Sequence, residues 1–223
     1  AAGLGRDLEL PGAIELGRAT YANIRRFLTY HLTDNVAELA PFLVWALSGG
    51  SIPPALTVLQ VLALDIGTDL LPALALGAER PTPRAMVGRM RVRSLADRRV
   101  LLRAFGVLGP AEALLSLGAF VVVLSVGGWR WGAAPGAALL ATASGTAFAA
   151  IVLGQLANAF ACRSETRPVL RTGVRGNPLL LVAVGVELAL LLVFLAVPPL
   201  AELLGGAWPT PLGWWLALLA VPV

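Results

Sequence analysis

Carboxylate and amide side chains interrupt two long apolar stretches in the first third of the chain. Asn35 and Glu38 lie three residues apart in the first stretch, and Asp65 and Asp69 lie four apart in the second. Each spacing places its pair on one face of a helix. The short turn between the stretches makes the helices antiparallel neighbours, so the polar groups meet at one depth. Such oxygens are ligands of hard cations, and the pattern predicts a cation site; shared protons are the alternative.

Glycine and proline residues are expected to loosen both helices beside these polar groups. Gly67 weakens the second helix, and Pro72 cannot donate a hydrogen bond to the carbonyl of Thr68. Pro41 has the same effect in the first helix, where it leaves the carbonyl of Ala37 without a donor. Interrupted helices in mid-membrane supply backbone carbonyls to the ion sites of transporters. We therefore expect backbone oxygens to contribute to the predicted site.

The composition indicates an all-α integral membrane protein. Of the 223 residues, 57% are hydrophobic and 13% are charged, whereas a soluble domain carries roughly a quarter charged residues. A membrane helix needs about 20 apolar residues, and the sixth candidate stretch has only about 13, so the chain is expected to end inside a helix. We predict a polytopic bundle of about six transmembrane helices, the last truncated. The predicted spans are about 27–48, 55–77, 101–126, 137–162, 178–197 and one that begins near 211.

The arginines determine the predicted orientation. The chain has 17 basic residues, all of them Arg, and only Arg130 lies outside the amino-terminal segment and the loops that follow the second and fourth spans. Basic residues resist translocation, so residues 1–26 are predicted to form a cytoplasmic lead-in to a multi-pass protein of the plasma membrane. Arginines confined to short loops argue against nucleic-acid binding. The basic loop from Ala78 to Arg99 either orients the chain or contacts anionic lipid.

Further polar side chains lie in the later predicted spans and in the first one. Gln155 and Asn158, three residues apart in the fourth span, are either neutral ligands or packing residues. Glu112 and Glu187 are lone carboxylates of the third and fifth spans, and each is either proton-linked or hydrogen-bonded between helices. His31 is the single histidine, and we interpret it as a packing or interfacial residue rather than a metal ligand.

Two segments resemble the fifth and sixth transmembrane helices of type II P-type cation-transporting ATPases. They read GRATYANIRRFLTYHLTDNVAEL and VLQVLALDIGTDLLPALALGAERP. The family pattern is GR-x-x-Y-x-N-I-(K/R)-(K/R)-F and N-x-x-E, then Q-x-L and (N/D)-x-x-T-D-x-x-P-A-x-x-L, and its elements occur here in order. The segments QLANAFACRSE and NPLLLVAVGVELALLLVFLAVPPL resemble the eighth and ninth helices. The resemblance runs from about Ile14 onward, so residues 27–223 look like the carboxy-terminal membrane domain of a bacterial pump.

The resemblance implies a set of ligands but leaves the ion open. Gln155 stands where calcium pumps have a glutamate on the eighth helix, and Asp34 stands where a Ser or Thr is usual. Asp65 and Pro41 are more similar to the sodium/potassium branch, so calcium, sodium, potassium or another cation remains possible. The ligands that the resemblance implies are Asn35, Glu38, Asp65, Thr68, Asp69 and Gln155.

The sequence contains no D-K-T-G, T-G-E or G-D-G-x-N-D motif, and phosphoryl transfer needs such groups. We therefore expect the chain to be a fragment that does not hydrolyse ATP alone, with ATP and Mg²⁺ held by missing domains of the same pump. Its remaining partner is the lipid bilayer, and an accessory subunit stays unknown. The alternatives are a stand-alone channel or accessory protein derived from a pump, and a proton-coupled secondary transporter.

Overall fold

The computed structural model describes residues 2–79, 94–163 and 177–221, with the side chains of residues 2–11 left aside. These parts of the chain form helices and connecting turns only, so the prediction of an all-α membrane bundle is confirmed. Much of the predicted basic loops, including Arg80 to Arg93 and Arg167 to Arg175, lies outside the described residues. The helices are α1 (Ala2–Leu47), α2 (Val58–Ala63), α3 (Leu70–Gly77), α4 (Arg98–Arg103), α5 (Gly109–Val126), α6 (Ala137–Cys162), α7 (Pro178–Ala196), α8 (Pro198–Leu204) and α9 (Pro211–Leu218).

Four helical stretches of the described chain are long and apolar enough to cross a membrane: Val58–Gly77, Arg98–Val126, Ala137–Cys162 and Pro178–Ala196. They coincide with the second to fifth predicted spans. The first predicted span lies within α1, where His31, Asp34 and Glu38 lower the hydropathy of the helix. The sixth corresponds to α9, which has 8 residues.

Helix α6 lies at the centre of the bundle. Nearly every residue from Ala143 to Leu156 is buried, and many of them are Ala, Gly or Ser. Inside a membrane no hydrophobic effect drives helices together, so their association depends on close packing. Small side chains permit that close approach. A second close approach joins α1 to α5, because a Cβ added to Gly109 would lie 2.6 Å from the Cβ of Val36. Helix α1 therefore packs directly against α5, and it also contacts α6.

The loops that follow α1, α5 and α8 meet at one end of the bundle, which we call the tryptophan-rich end. The backbone N–H of Gly132 donates to the carbonyl of Ser51 over 3.2 Å. The Thr57 hydroxyl, which also caps α2, donates to the carbonyl of Leu204 over 2.7 Å. The rings of Trp208 and Trp214 pack with centroids 5.2 Å apart. The connections after alternate spans therefore lie at this end, as expected when successive spans run antiparallel.

Glu79 joins four helices at the opposite end, which we call the arginine-rich end. Its carboxylate accepts hydrogen bonds from Arg163, after α6, at 2.7 Å and from Asn177, before α7, at 2.9 Å. Its backbone carbonyl, after α3, accepts from the Asn23 amide of α1 at 2.8 Å. Burial alone would raise the pKa of Glu79, but the bonds from Arg163 and Asn177 outweigh it and hold the pKa below the usual 4.5.

A second ion pair at the arginine-rich end joins α1 to the start of α4. The Arg25 guanidinium contacts the Asp97 carboxylate at 3.0 Å. Asp97 also caps α4, because its side chain accepts from the backbone N–H groups of Arg99 and Val100. The bond from Arg25, followed by the one from Val100, lowers the pKa of Asp97 to about 2. The carboxylate therefore stays ionised throughout the physiological pH range.

Replacement of Glu79 by Gln is expected to lower the free energy of unfolding by about 1.5–3 kcal/mol, the usual value of a hydrogen bond to a charged group. Because the folded pKa of Glu79 is depressed, this stability is present above pH 4.5 and is lost as the pH falls through the folded value. Thermal unfolding of the full-length protein in detergent, followed by tryptophan fluorescence, measures the difference. Glu202→Gln, an exposed carboxylate at the tryptophan-rich end, is the control, and equal melting of both variants at pH 7 contradicts the assignment.

Candidate cation-binding site

Three carboxylates from two helical segments converge inside the bundle. One oxygen from each of Glu38, Asp65 and Asp69 lies within 4.8 Å of the other two. Glu38 and Asp69 are buried and Asp65 is half-buried. Three negative charges at this spacing repel one another strongly in a low-dielectric interior. The cluster therefore requires a cation or bound protons to be stable.

A π-helical turn, Leu64–Thr68, positions the two aspartates of the second span. The backbone N–H of Asp69 donates to the carbonyl of Leu64 over 2.9 Å, five residues back, and the Thr68 hydroxyl donates to the same carbonyl. Gly67 lets the wider turn approach Phe194 of α7, since an added Cβ would lie 3.3 Å from its ring. The expected interruption of this helix is therefore a π turn within a continuous span. Such turns occur frequently at functional sites.

Glu38 enters the cluster from α1, which stays helical across Pro41. Pro41 has no N–H, so the carbonyl of Ala37 next to Glu38 lacks its helical donor. The Glu38 carboxylate accepts a hydrogen bond of 2.9 Å from the Gln155 side chain of α6. Gln155 is fully buried, and its own oxygen has no hydrogen-bond partner among the described residues. The unpartnered Gln155 oxygen therefore lies next to the carboxylate cluster, because the amide nitrogen of the same side chain donates to Glu38.

Tyr30 is a further member of the site that sequence reasoning missed. Its buried hydroxyl donates to Oδ1 of Asp69 over 3.4 Å, and Oδ2 of Asp69 is left without a partner in the described chain. Tyr30, Asp34 and Glu38 are spaced four residues apart along α1, so this spacing was the signal that could have identified it. The tyrosine orients one oxygen of Asp69 and leaves the other available.

Two of the predicted ligands use their side chains within their own helices. The amide of Asn35, which is half-buried, donates to the carbonyl of His31 over 2.7 Å. The Thr68 hydroxyl is buried beside Asp69 and donates to Leu64 as described. The structure thus brings Glu38, Asp65, Asp69 and Gln155 together by contact, while Thr68 and Asn35 flank them in sequence.

A second polar group lies next to the cluster. The Asn158 amide donates to Oδ1 of Asp34 over 3.1 Å, and the Cys162 thiol donates to the Asn158 oxygen over 3.3 Å. Glu112 of α5 is buried against α6, where a Cβ on Gly154 would lie 2.9 Å from its Cγ. A cavity of about 10 Å³, the size of one water molecule, is lined by Leu108, Glu112, Gly154, Asn158 and Ala220.

Glu187 of α7 is also buried, and neither of its carboxylate oxygens has a partner among the described residues. Sequence reasoning noted Glu112 and Glu187 as isolated groups. It could not place them, because helical periodicity identifies a face of a helix and not the helix that packs against it.

A polytopic helical bundle with a buried cluster of carboxylate and amide oxygens defines the membrane domain of a cation transporter. Residues 53–223 match the family described as "Cation transporting ATPase, C-terminus". The chain belongs to this family, and its place is in the carboxy-terminal transmembrane region of P-type ATPases.

Curated relatives extend the match to almost the whole chain. The calcium-transporting ATPase of Bacillus subtilis (strain 168) is 34% identical over 216 residues, which cover 94% of this chain and 22% of the relative. The sodium/potassium-transporting ATPase subunit alpha-4 of Homo sapiens is 25% identical over 235 residues, which cover 92% of this chain and 22% of the relative. The subunit alpha of Tetronarce californica is also 25% identical, over 231 residues. The chain thus spans about a fifth of the length of these relatives.

Replacement of Asn158 by Leu is expected to destabilise the protein by about 1–2 kcal/mol, because the buried Asp34 carboxylate loses its partner on α6. Ser125→Ala is the matched control, since that exposed hydroxyl bonds only within its own helix, to the carbonyl of Val121. Thermal unfolding in detergent compares the two variants. If they melt at the same temperature, the bond between Asn158 and Asp34 does not hold α6 against α1.

Proposed function

We propose that this chain is the ion-binding membrane domain of an ATP-driven cation transporter and that residues 27–223 form that domain. The observation that carries the proposal is the convergence of three carboxylates within 4.8 Å inside a membrane bundle. Carboxylates in mid-membrane mark ion pathways because their desolvation is too costly for packing alone. The proposed ligands are Asn35, Glu38, Asp65, Thr68, Asp69 and Gln155.

The unpartnered oxygens support a cation rather than protons alone at this cluster. Oδ2 of Asp69 and Oε1 of Gln155 have no donor in the described chain, although both are buried. A protonated carboxyl can donate to one such oxygen, whereas a cation contacts several at once. Hard cations take six to eight oxygens, drawn from carboxylates, amides and carbonyls. The carbonyl of Ala37, which Pro41 leaves without its helical donor, adds a backbone oxygen of the required kind.

The energy source in this proposal lies beyond these 223 residues. The relatives are ATPases by name and are about four to five times as long as the matched region. We propose that ATP and Mg²⁺ act in other domains of the same protein, and that the cation is the cargo. The relatives carry calcium, or sodium and potassium, in their names, and the proposed cargo is one of these ions. The protein is proposed to lie in the plasma membrane with residues 1–26 in the cytoplasm.

Glu38→Gln and Asp69→Asn test the proposed ligands in the full-length protein. Each is expected to raise the cation concentration needed for phosphorylation from ATP by about 100-fold or more, since even groups around a metal's ligands are worth 10–100-fold. The measurement is steady-state phosphorylation against calcium, sodium and potassium concentration. Glu202→Gln, far from the cluster, should leave the curves in place. Unchanged cation dependence in both ligand variants rules out the proposed site.

The proposed orientation is tested by labelling single cysteines in intact cells. In a background in which Cys162 and every other cysteine of the full-length protein are replaced by Ala, Arg130→Cys at the tryptophan-rich end should react with a membrane-impermeant maleimide, because that loop is proposed to face outward. Arg98→Cys at the arginine-rich end should react only after the cells are broken. The reverse pattern would show that residues 1–26 are not cytoplasmic.

A further inference from the structure

The start of α4 combines exposed positive charge with exposed apolar surface. Arg98 and Arg99 are exposed at the first turn of the stretch Arg98–Val126, which corresponds to the third predicted span. Leu101 and Leu102 of α4 are 41% and 55% exposed, and Phe105, in the π-helical turn Ala104–Leu108 that continues α4, is 51% exposed. The offsets from Arg98 are three, four and seven residues, which form one stripe along a helix. The stripe is basic at the membrane boundary and apolar below it.

The charge of this stripe is not neutralised by its neighbours in the described chain. Asp97 is the adjacent carboxylate, but it is engaged by the Arg25 guanidinium and by the backbone of α4. Arg103 points the other way, since its guanidinium donates to the carbonyl of Ala161 at the end of α6. Arg98 and Arg99 therefore present two guanidinium groups outward above the apolar side chains.

A cleft beside the two arginines has room for a phosphate group. It has a volume of about 550 Å³, opens to the surface, and is lined by Ser94, Asp97, Arg98, Arg99 and Leu102. The planar guanidinium binds phosphate oxygens through two parallel hydrogen bonds. The Ser94 backbone is fixed, because its carbonyl accepts from Arg25 over 3.2 Å. The Arg25 guanidinium thus holds both the Ser94 backbone and the Asp97 carboxylate that caps α4.

We propose that this cleft binds the headgroup of an anionic phospholipid from the leaflet at the arginine-rich end. The phosphate lies between Arg98 and Arg99, and an acyl chain lies along Leu101, Leu102 and Phe105. The commitment to a lipid follows from the apolar part of the stripe, which a soluble phosphate would leave uncovered. An anionic headgroup is preferred because Arg98 and Arg99 present two positive charges outward. The adjacent carboxylate, Asp97, is already engaged by Arg25 and by the backbone of α4. This inference does not depend on the identity of the transported ion.

Native mass spectrometry of the full-length protein in a mild detergent tests the proposal. The protein is titrated with dioleoyl phosphatidylglycerol or with dioleoyl phosphatidylcholine, and the number of retained lipids is counted. Each arginine removed is expected to weaken phosphatidylglycerol retention about fivefold, which corresponds to ~1 kcal/mol for each charge near an anionic surface. Arg98→Gln with Arg99→Gln should therefore weaken it about 25-fold, and Arg130→Gln at the other end should have no effect.

Two further experiments distinguish a lipid from a free phosphate ligand, and lost binding from a folding defect. Glycerol 3-phosphate at millimolar concentration should not displace the lipid, and displacement would overturn the lipid in favour of a free phosphate ligand. If the double Gln variant does not fold by tryptophan fluorescence, the Lys pair replaces it and should retain charge-dependent binding that weakens in salt. Equal retention of the two lipids by the unaltered protein, or retention unaffected by the double variant, overturns the proposal. Cation-stimulated phosphorylation in the same preparation reports separately on the proposed transport function.

Discussion

The mutual repulsion of three clustered carboxylates, two of them buried and one half-buried, is the constraint on which this structure depends. Glu38, Asp65 and Asp69 bring oxygens within 4.8 Å of one another in the interior of a membrane bundle. The ion pairs of the described residues, such as Arg163 with Glu79, are located at the arginine-rich end instead. The bundle thus places its arginines where they orient and clamp the helices, and it leaves the carboxylate cluster to be neutralised from outside the protein. A cation or bound protons can satisfy that requirement, and the proposed function assigns this role to a cargo cation.

Several other features of the fold hold the three carboxylates close together and prevent them from moving apart. The π turn brings Asp65 and Asp69 toward α1, and Tyr30 fixes one oxygen of Asp69. Small residues along α6 let Gln155 reach Glu38. At the membrane boundary, the contacts of Glu79 tie the middle of α1 to the ends of α3, α6 and α7. A polar site in a membrane is positioned in this way by packing in the interior and by charge at the ends.

The sequence contained enough information to predict the bundle and the carboxylate cluster, because both depend on short-range periodicity. The spacing of Asp65 and Asp69 and the short turn after α1 were sufficient to bring them to the depth of Glu38. Periodicity could not predict the contact of Gln155 with Glu38, since the two residues are 117 positions apart in sequence, and only the family resemblance placed Gln155 in the ligand set. The π turn was expected only as a loosened helix, because proline removes a donor without specifying which hydrogen bond replaces it.

The most direct test of the account is a high-resolution cryo-electron microscopy structure of the full-length protein, determined with and without its transported cation. The account predicts a density peak, present only with the cation, at about 2.3–2.6 Å from an oxygen of each of Glu38, Asp65 and Asp69, if the ion is calcium-sized. Cation density elsewhere in the membrane, with the three carboxyl groups hydrogen-bonded to one another in both states, would contradict it.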